Sequence, residues 1–142
     1  METGVTVLRR HVVGHDCGTV VNPLLVDGQV YGSVCAGIGI ALHEELRHDP
    51  DGAPLTDTFK GYLLPRATDL PPIELLHQCT PSPFTPLGAK GAGESGLPGA
   101  QAAILAAIND AIRPRGARID ALPASPPRVL AALAEATTAV AS

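Results

Sequence analysis

The chain contains the stretch Leu87-Gly88-Ala89-Lys90-Gly91-Ala92-Gly93-Glu94-Ser95-Gly96, which we call the glycine loop. It holds four glycines, one lysine and one glutamate, and it precedes the apolar run Gln101–Ile112. Glycine allows positive φ angles and lets a ligand come close to the main chain. A carboxylate with so few neighbouring side chains is predicted to face a ligand. The simpler interpretation is a solvated turn with an ordinary surface glutamate.

The glycine loop also fits the dinucleotide-binding pattern G-x-G-x-x-G through Gly91, Gly93 and Gly96. That pattern requires a strand that runs directly into the first glycine. Prolines occupy the approach at positions 81, 83 and 86 instead, and proline cannot donate to a β-ladder. Glu94 would also put a negative charge where a pyrophosphate binds. No Gly-Lys pair is followed by Ser or Thr, so a Walker loop is excluded and a stand-alone nucleotide-binding module is disfavoured.

Length and composition predict one domain, or part of a larger one. Of the 142 residues only 3% are aromatic and none is tryptophan, so the core must be aliphatic and rich in alanine. The formal net charge of −4 provides no electrostatic footprint for nucleic acid or for an acidic membrane. The longest mainly apolar run, Val30–Leu42, is too short to span a bilayer. We therefore expect neither a nucleic-acid partner nor a membrane partner.

Cysteine usage predicts a reducing compartment. Cys17, Cys35 and Cys79 are odd in number and lack C-x-x-C spacing, so free thiols in the cytoplasm are expected. The ligand-type side chains within His11–Cys17 follow no familiar metal-ligand spacing, and we predict no metal site there.

Hydrophobic patterning predicts the order strand, helix, strand, strand, helix, short extended segment and helix. The elements cover, in this order, Val5–Val13, Leu24–Leu46, Thr58–Leu64, Ile73–Cys79, Gly99–Ile112, Ile119–Leu122 and Pro126–Ala136. This order predicts an α+β fold in which mixed strands pack against two long helices and a C-terminal helix.

The first predicted helix combines an apolar repeat with several glycines. Its repeat is Val30, Val34, Ile38, Leu42 and Leu46, and its glycines are Gly28, Gly32, Gly37 and Gly39. Each glycine costs about 1 kcal/mol relative to alanine inside a helix. Tight packing within the fold and close approach of a ligand are both open as explanations. In either case Gly32 and Gly37 are predicted to tolerate no bulky side chain.

Four motifs resemble, in order, the C-terminal end of the molybdenum-cofactor subunit of the xanthine dehydrogenase, aldehyde oxidase and carbon monoxide dehydrogenase family. They are Asp16-Cys17-Gly18-Thr19 with Asn22-Pro23, Gly28-Gln29-Val30-Tyr31-Gly32, Tyr62-Leu63-Leu64-Pro65-Arg66-Ala67, and Gly88-Ala89-Lys90-Gly91-Ala92-Gly93-Glu94. The segment 122–129 is also similar to the closing segment of the family. A lone glycine loop would be weak evidence, but four motifs at family spacing are specific.

The resemblance implies a role for each part of the glycine loop. In the family, the glutamate of the G-x-G-E loop is the base that deprotonates a hydroxyl ligand of molybdenum, so Glu94 is the expected catalytic base. Lys90 and the main-chain amides of Gly91, Ala92 and Gly93 are expected to bind polar groups of the pterin cofactor. A simple surface charge is the alternative for Lys90.

The resemblance also implies that residues 1–142 form the C-terminal part of a larger molybdopterin-binding domain. Such a molybdenum hydroxylase oxidises an aldehyde, an N-heterocycle or a similar small substrate with water as the oxygen source. The remaining part of the molybdenum subunit is the expected partner, and 2Fe-2S clusters and FAD are expected on partner modules. Alone, the chain is expected to be inactive, to retain no cofactor and to self-associate. The alternative is a non-catalytic remnant without cofactor.

Two departures from the family accompany this resemblance. The family usually has a glutamine before the glycine that matches Gly37, and Ala36 stands there instead. One cofactor contact is therefore expected to be missing or replaced. The earlier cofactor loops of the subunit are also absent, and the strand predicted almost at Met1 suggests a truncated reading frame or a split subunit.

Overall fold

The computed structural model describes residues 3–140, and within them the fold has three α-helices and a two-stranded parallel sheet. The strands are β1 (His11–His15) and β2 (Ile73–His77). The helices are α1 (Pro23–Leu42), α2 (Leu97–Ile112) and α3 (Pro126–Val140). Two short 3-10 turns lie at Ala67–Asp69 and Arg113–Arg115. The predicted α+β class is confirmed.

The parallel sheet pairs His11 with Ile73 at one end and His15 with His77 at the other. The strand predicted over Val5–Val13 is confirmed only from His11 onward. The strand predicted over Ile73–Cys79 ends at His77.

Two other segments were predicted to be extended. The strand predicted over Thr58–Leu64 is wrong, whereas Ile119–Leu122, predicted only as a short extended segment, joins no strand of the described chain. Residues 58–64 form turns, in which Tyr62 N–H donates to Thr58 O at 2.8 Å. The main chain of Ile119 bonds instead to the side-chain amide of Asn109, which donates to its carbonyl at 2.7 Å and accepts from its N–H at 2.8 Å. In both segments local partners occupy the backbone groups that a strand would need.

The core lies between α1 and α2. Asn22 caps α1, because its side chain accepts the Leu25 N–H at 3.2 Å. The predicted repeat of α1 is buried from Val30 to Leu42, whereas Leu46 lies beyond the helix end and is 69% exposed. α2 supplies the facing apolar stripe of Ala100, Ile104, Ile108 and Ile112.

The glycines of α1 divide into two groups. A Cβ at Gly37 would lie 2.6 Å from Leu97 O and 2.7 Å from Ala100 Cβ, so α1 and α2 are in backbone contact there. At Gly28 and Gly32, by contrast, no described atom outside the neighbouring residues and the adjacent backbone of α1 lies within 4 Å of such a Cβ. The predicted intolerance of bulk is therefore supported at Gly37. At Gly32, which is exposed, no contact within the described chain supports it, and there it stays a prediction.

By length and composition alone, α1 is sufficient to cross a membrane, since an 18-residue window of this helix has a mean hydropathy of 1.4. The apolar helix Pro23–Leu42 is therefore longer than the apolar run Val30–Leu42, which was judged too short to span a bilayer. Core helices of globular proteins meet the same criterion. The buried face of α1 packs against α2 as one side of the core.

Candidate functional site

The glycine loop is fixed at its beginning by Gly88. This residue has a φ of +71°, and a Cβ there would lie 2.8 Å from Pro81 Cβ and 3.0 Å from Thr19 Oγ1. Its carbonyl accepts hydrogen bonds from Thr19 N–H at 3.1 Å and from Ser82 N–H at 2.9 Å. Both the backbone conformation and the close approach of its neighbours therefore require glycine here.

Asp16 holds the same end of the loop from the segment after β1. Its Oδ1 accepts hydrogen bonds from Gly18 N–H at 2.9 Å and from Thr80 N–H at 3.1 Å, and lies 3.1 Å from Lys90 Nζ. The Gly18 and Thr80 hydrogen bonds, with a smaller contribution from Lys90, hold the pKa of Asp16 well below its ordinary value. The sequence offered one signal for this role, because aspartate followed two residues later by glycine is typical of a side-chain-capped turn.

Replacing Asp16 by asparagine is expected to flatten the acid dependence of stability. Because the pKa of Asp16 is lower in the folded chain than in the unfolded chain, Asp16 is protonated first in the unfolded chain as the pH falls. Its contribution to the free energy of unfolding is therefore present above about pH 4 and is lost as the pH falls further. Urea unfolding at about pH 6 and about pH 3 measures the loss, which should be smaller in Asp16→Asn than in the wild type.

The exposed carboxylate of Asp120 is the matched control, and Asp120→Asn should leave the acid dependence unchanged. Asp69 adds its own pH dependence of stability in every variant, because its hydrogen bonds from Arg66 lower its pKa to about 2. An identical slope in wild type and Asp16→Asn would contradict the anchoring role of Asp16.

The end of the glycine loop is fixed to α1 by Ser33. Gly96 N–H donates to Ser33 Oγ at 3.0 Å, and this buried hydroxyl donates to Val30 O at 3.0 Å. A Cβ at Gly96 would lie 2.6 Å from Ser33 Oγ and 2.7 Å from Val34 Cγ2. Ser33 was not predicted as a site residue, since its only signal in the sequence is a small polar residue on the apolar face of a helix.

The centre of the loop, residues 91–95, is free of hydrogen bonds to distant parts of the described chain. Gly91 and Gly93 are exposed and have no positive φ, and a Cβ at either position would lie more than 4 Å from every described atom outside the two adjacent residues. Glu94 is exposed, and within residues 3–140 its carboxylate has no hydrogen bond or ion pair. Ser95 Oγ donates to Ala92 O at 3.1 Å, which closes the turn before α2. Neither conformation nor packing within the described chain explains the glycines at 91 and 93.

The structure therefore brings together the residues that the sequence singled out. Lys90 directly precedes the free centre and Glu94 lies within it, with the main chain of residues 91–93 between them. The amides of these three residues donate to no acceptor in the described part of the chain. Lys90 is more than a free surface charge, since it pairs with Asp16, and its binding to a cofactor stays a prediction. Chemically, the arrangement offers hydrogen-bond donors for a polar ligand beside a carboxylate that can accept a proton.

A second cluster lies beside the loop at the carboxyl ends of β1 and β2. The rings of His15 and His77 meet edge to face with centroids 6.2 Å apart. His77 Nε2 lies 2.8 Å from Asp27 Oδ1, and this contact joins β2 to α1. In the described part of the chain, no group of three or more His, Cys, Asp or Glu side chains could hold a metal ion.

Known proteins share both the sequence and the fold of this chain. Residues 1–71 match the sequence family of the molybdopterin cofactor-binding domain. The large subunit of nicotine 6-hydroxylase from Paenarthrobacter nicotinovorans is 43% identical over 92% of this chain and 16% of its own length. The large chain of carbon monoxide dehydrogenase from Afipia carboxidovorans is 40% identical over 78% of this chain and 14% of its own length.

A solved structure extends the similarity to three dimensions. Quinoline 2-oxidoreductase from Pseudomonas putida 86 superposes with a TM-score of 0.85 at 40% identity, covering 87% of this chain and 16% of its own. The chain thus spans 16% or less of the length of each of these three proteins.

Proposed function

This chain belongs to the family of molybdopterin cofactor-binding domains, and from that premise we propose that it forms part of the molybdenum subunit of a hydroxylase. The substrate class is an aldehyde, an N-heterocycle or a similar small molecule. Nicotine 6-hydroxylase and quinoline 2-oxidoreductase, both named for N-heterocyclic substrates, support an N-heterocycle. In this proposal Glu94 is the catalytic base, and Lys90 with the main chain of residues 91–93 binds polar groups of the pterin.

The contrast between the fixed ends and the free centre of the glycine loop carries the proposal. A general base needs a fixed backbone and a carboxylate that stays available for a substrate or cofactor proton. Asp16 and Ser33 provide the fixed backbone, and the carboxylate of Glu94 is available. The unused amides and the space beside Gly91 and Gly93 fit a cofactor whose polar groups accept hydrogen bonds and approach the main chain closely.

When bound, the molybdenum cofactor would supply the two-electron oxidation and the activation of the water-derived oxygen. The residues of this chain perform the other tasks. A carboxylate oxygen of Glu94 accepts a proton, and the amides of residues 91–93 orient the cofactor by donating hydrogen bonds. Lys90 adds a positive charge beside these amides, and its contact with Asp16 holds the ammonium at the edge of the site.

We further propose that the remaining part of the molybdenum subunit completes the cleft around residues 1–142. In this arrangement, electrons leave through 2Fe-2S clusters to FAD on partner modules. We also propose a cytoplasmic location, which the free thiols of Cys17, Cys35 and Cys79 support.

Cofactor content tests this proposal directly. The chain purified together with the remaining part of its molybdenum subunit is expected to contain molybdenum and pterin in stoichiometric amounts. The chain purified alone is expected to contain neither, because a cofactor site normally buries most of its ligand and this loop covers one side only. Metal analysis and pterin fluorescence measure both preparations. Absence of molybdenum from the assembled protein would favour a non-catalytic remnant, and stoichiometric molybdenum in the isolated chain would contradict a shared cleft.

A further inference from the structure

A cavity lies at the C-terminal end of α1; we call it the helix-end cavity. Its volume is about 350 Å³, which is within the range of small-molecule sites. His43 directly follows α1 and lies ten residues after Ser33, a spacing of about 15 Å along the helix axis. The cavity is therefore separate from the contact between Ser33 and the glycine loop. Its lining comprises three apolar residues, Phe59, Leu63 and Leu64, and three polar residues, His43, Arg66 and Asp69.

Arg66 and Asp69 form an ion pair in the lining of the cavity. Asp69 Oδ2 accepts hydrogen bonds from Arg66 Nε at 3.0 Å and from the Arg66 main-chain N–H at 2.9 Å, and its Oδ1 accepts one from Arg66 Nη2 at 3.2 Å. Because these bonds lower the pKa of Asp69 to about 2, its carboxylate is ionised and offsets the charge of the guanidinium. The remaining guanidinium nitrogen, Arg66 Nη1, has no acceptor within residues 3–140. The pair thus contributes an unused donor group without a net charge.

The imidazole of His43 is a second polar group without a partner. In the described chain neither of its ring nitrogens takes part in a hydrogen bond, and Nε2 is buried. Buried side-chain nitrogens of folded proteins nearly always have a partner, and a neutral imidazole can donate with one nitrogen and accept with the other. Together with Arg66 Nη1, His43 therefore provides hydrogen-bonding capacity that is available to a bound molecule.

The apolar wall of the cavity is held in position through Tyr62. The ring of Phe59 is 79% exposed, and Leu63 and Leu64 are 52% and 49% exposed. Tyr62 lies between Phe59 and Leu63 in the sequence, and its O–H donates to Glu44 Oε2 at 2.6 Å, which ties this wall to the residues that follow α1. An exposed aromatic ring beside aliphatic side chains favours a ligand that itself contains an aromatic ring.

We propose that the helix-end cavity binds a small, neutral aromatic amide. The amide carbonyl accepts a hydrogen bond from Arg66 Nη1, and the amide N–H donates to Asp69 Oδ1, which accepts one bond within the described chain. The imidazole of His43 bonds to the same amide, and the aromatic ring packs against Phe59. An anion of the same shape would meet the carboxylate of Asp69, and a cation would meet the guanidinium, so the neutral molecule is preferred. This binding does not depend on the role of Glu94.

Equilibrium dialysis with benzamide tests the proposal on the chain assembled with the remaining part of its molybdenum subunit. Benzamide should bind saturably, and benzoate, which has the same shape but a negative charge, should bind at least about tenfold more weakly. Benzoate that binds as tightly as benzamide would overturn the proposal, and so would an assembled protein that binds no benzamide. Binding to the isolated chain alone would overturn it as well, because the remaining part of the subunit would then fill the cavity.

The two phenylalanines of the chain provide a matched pair of variants. Phe59 is 79% exposed and Phe84 is 94% exposed, so neither substitution should impair folding. Phe59→Ala should weaken benzamide binding by at least about fivefold, because the bound ring loses its aromatic contact. Phe84→Ala removes an equally exposed ring elsewhere and should leave the affinity unchanged. Equal affinities of the two variants would overturn the proposal.

A second pair of variants locates the amide group of the ligand. Arg66→Gln removes Nη1 and should weaken benzamide binding by at least about tenfold, since a hydrogen bond to a charged group is lost. Arg9→Gln is the control, because Arg9 is exposed and has no ion-pair partner in the described part of the chain, and it should leave the affinity unchanged. Unchanged binding in Arg66→Gln would place the benzamide elsewhere and overturn the proposal. An assembled protein that binds benzamide but lacks molybdenum would contradict the proposed function alone.

Discussion

Replacing Glu94 by glutamine is expected to lower turnover of the assembled enzyme by about 10²–10⁴-fold, the usual contribution of general-base catalysis. Glutamine keeps the size and hydrogen-bonding capacity of the side chain but removes the basic oxygen. The loop should keep its position, because the Ser33 and Asp16 bonds do not involve this side chain. Molybdenum and pterin contents should therefore stay near normal. Steady-state turnover and metal analysis on the same preparation separate a chemical defect from cofactor loss.

The pH profile adds a second measurement on this variant. Because a base must be ionised to accept a proton, turnover of the wild type should decline on the acid side, and that limb should disappear in Glu94→Gln. Normal turnover with full cofactor would contradict the assignment of Glu94 and return the glycine loop to an ordinary surface turn.

The control for this experiment must be a carboxylate that holds no other part of the fold in place. Glu45, a carboxylate in the helix predicted over Leu24–Leu46, lies beyond the end of α1, and its Oε1 accepts a hydrogen bond from Arg128 at 2.9 Å. Its substitution would disturb the contact with α3. Glu135 is exposed on α3, so Glu135→Gln is the better control and should leave turnover within a few-fold.

The helices could be predicted from sequence because their signals are local. A 3.6-residue apolar period identified the buried faces of α1 and α2, and the predicted start of the first helix at Leu24 lies one residue after its observed start at Pro23. The predicted bounds of α1 were less accurate at its end. The main chain turns away at His43 and Glu44, whose N–H groups both donate to Gly39 O. Leu46 continues the apolar period beyond the point at which the helix stops.

The strands were predicted less well because a strand requires a partner that composition does not specify. Residues 58–64 and 5–10 have similar β-forming composition, yet the first forms turns and the second lies unpaired. Among the described residues, only 11–15 and 73–77 pair as strands, and the whole of α1 lies between them in the sequence.

The site shows the same division between local and distant signals. The glycines and Glu94 were evident as a cluster in the sequence, but the hydrogen bonds that hold the glycine loop in place come from residues far away in the sequence. Ser33 reaches Gly96 only because α1 and α2 cross there, and Asp16 reaches Thr80 only because β1 and β2 run side by side. A single sequence carries no information on such crossings beyond the residue types that make them possible.

Gly37→Val is expected to destabilise the chain by about 1–3 kcal/mol through overpacking. Even the first added carbon would lie 2.6 Å from Leu97 O, a backbone atom that cannot rotate away. α1 and α2 would have to separate at the point where α2 leaves the glycine loop. Helix propensity acts in the opposite direction, since valine is a better helix former than glycine by a few tenths of a kcal/mol, so the steric cost must exceed that gain.

Gly32→Val is the matched control, because it introduces the same side chain into the same helix where no described atom lies within 4 Å. In the isolated chain its effect should stay within about 0.5 kcal/mol of zero, as is usual for surface positions. Urea unfolding of the two variants and the wild type measures the difference. Equal stability of all three proteins would contradict the backbone contact at Gly37. A normal Gly32→Val chain that fails to assemble would instead locate a neighbour of α1 in the remaining part of the subunit, which would account for the exposed glycines of this helix.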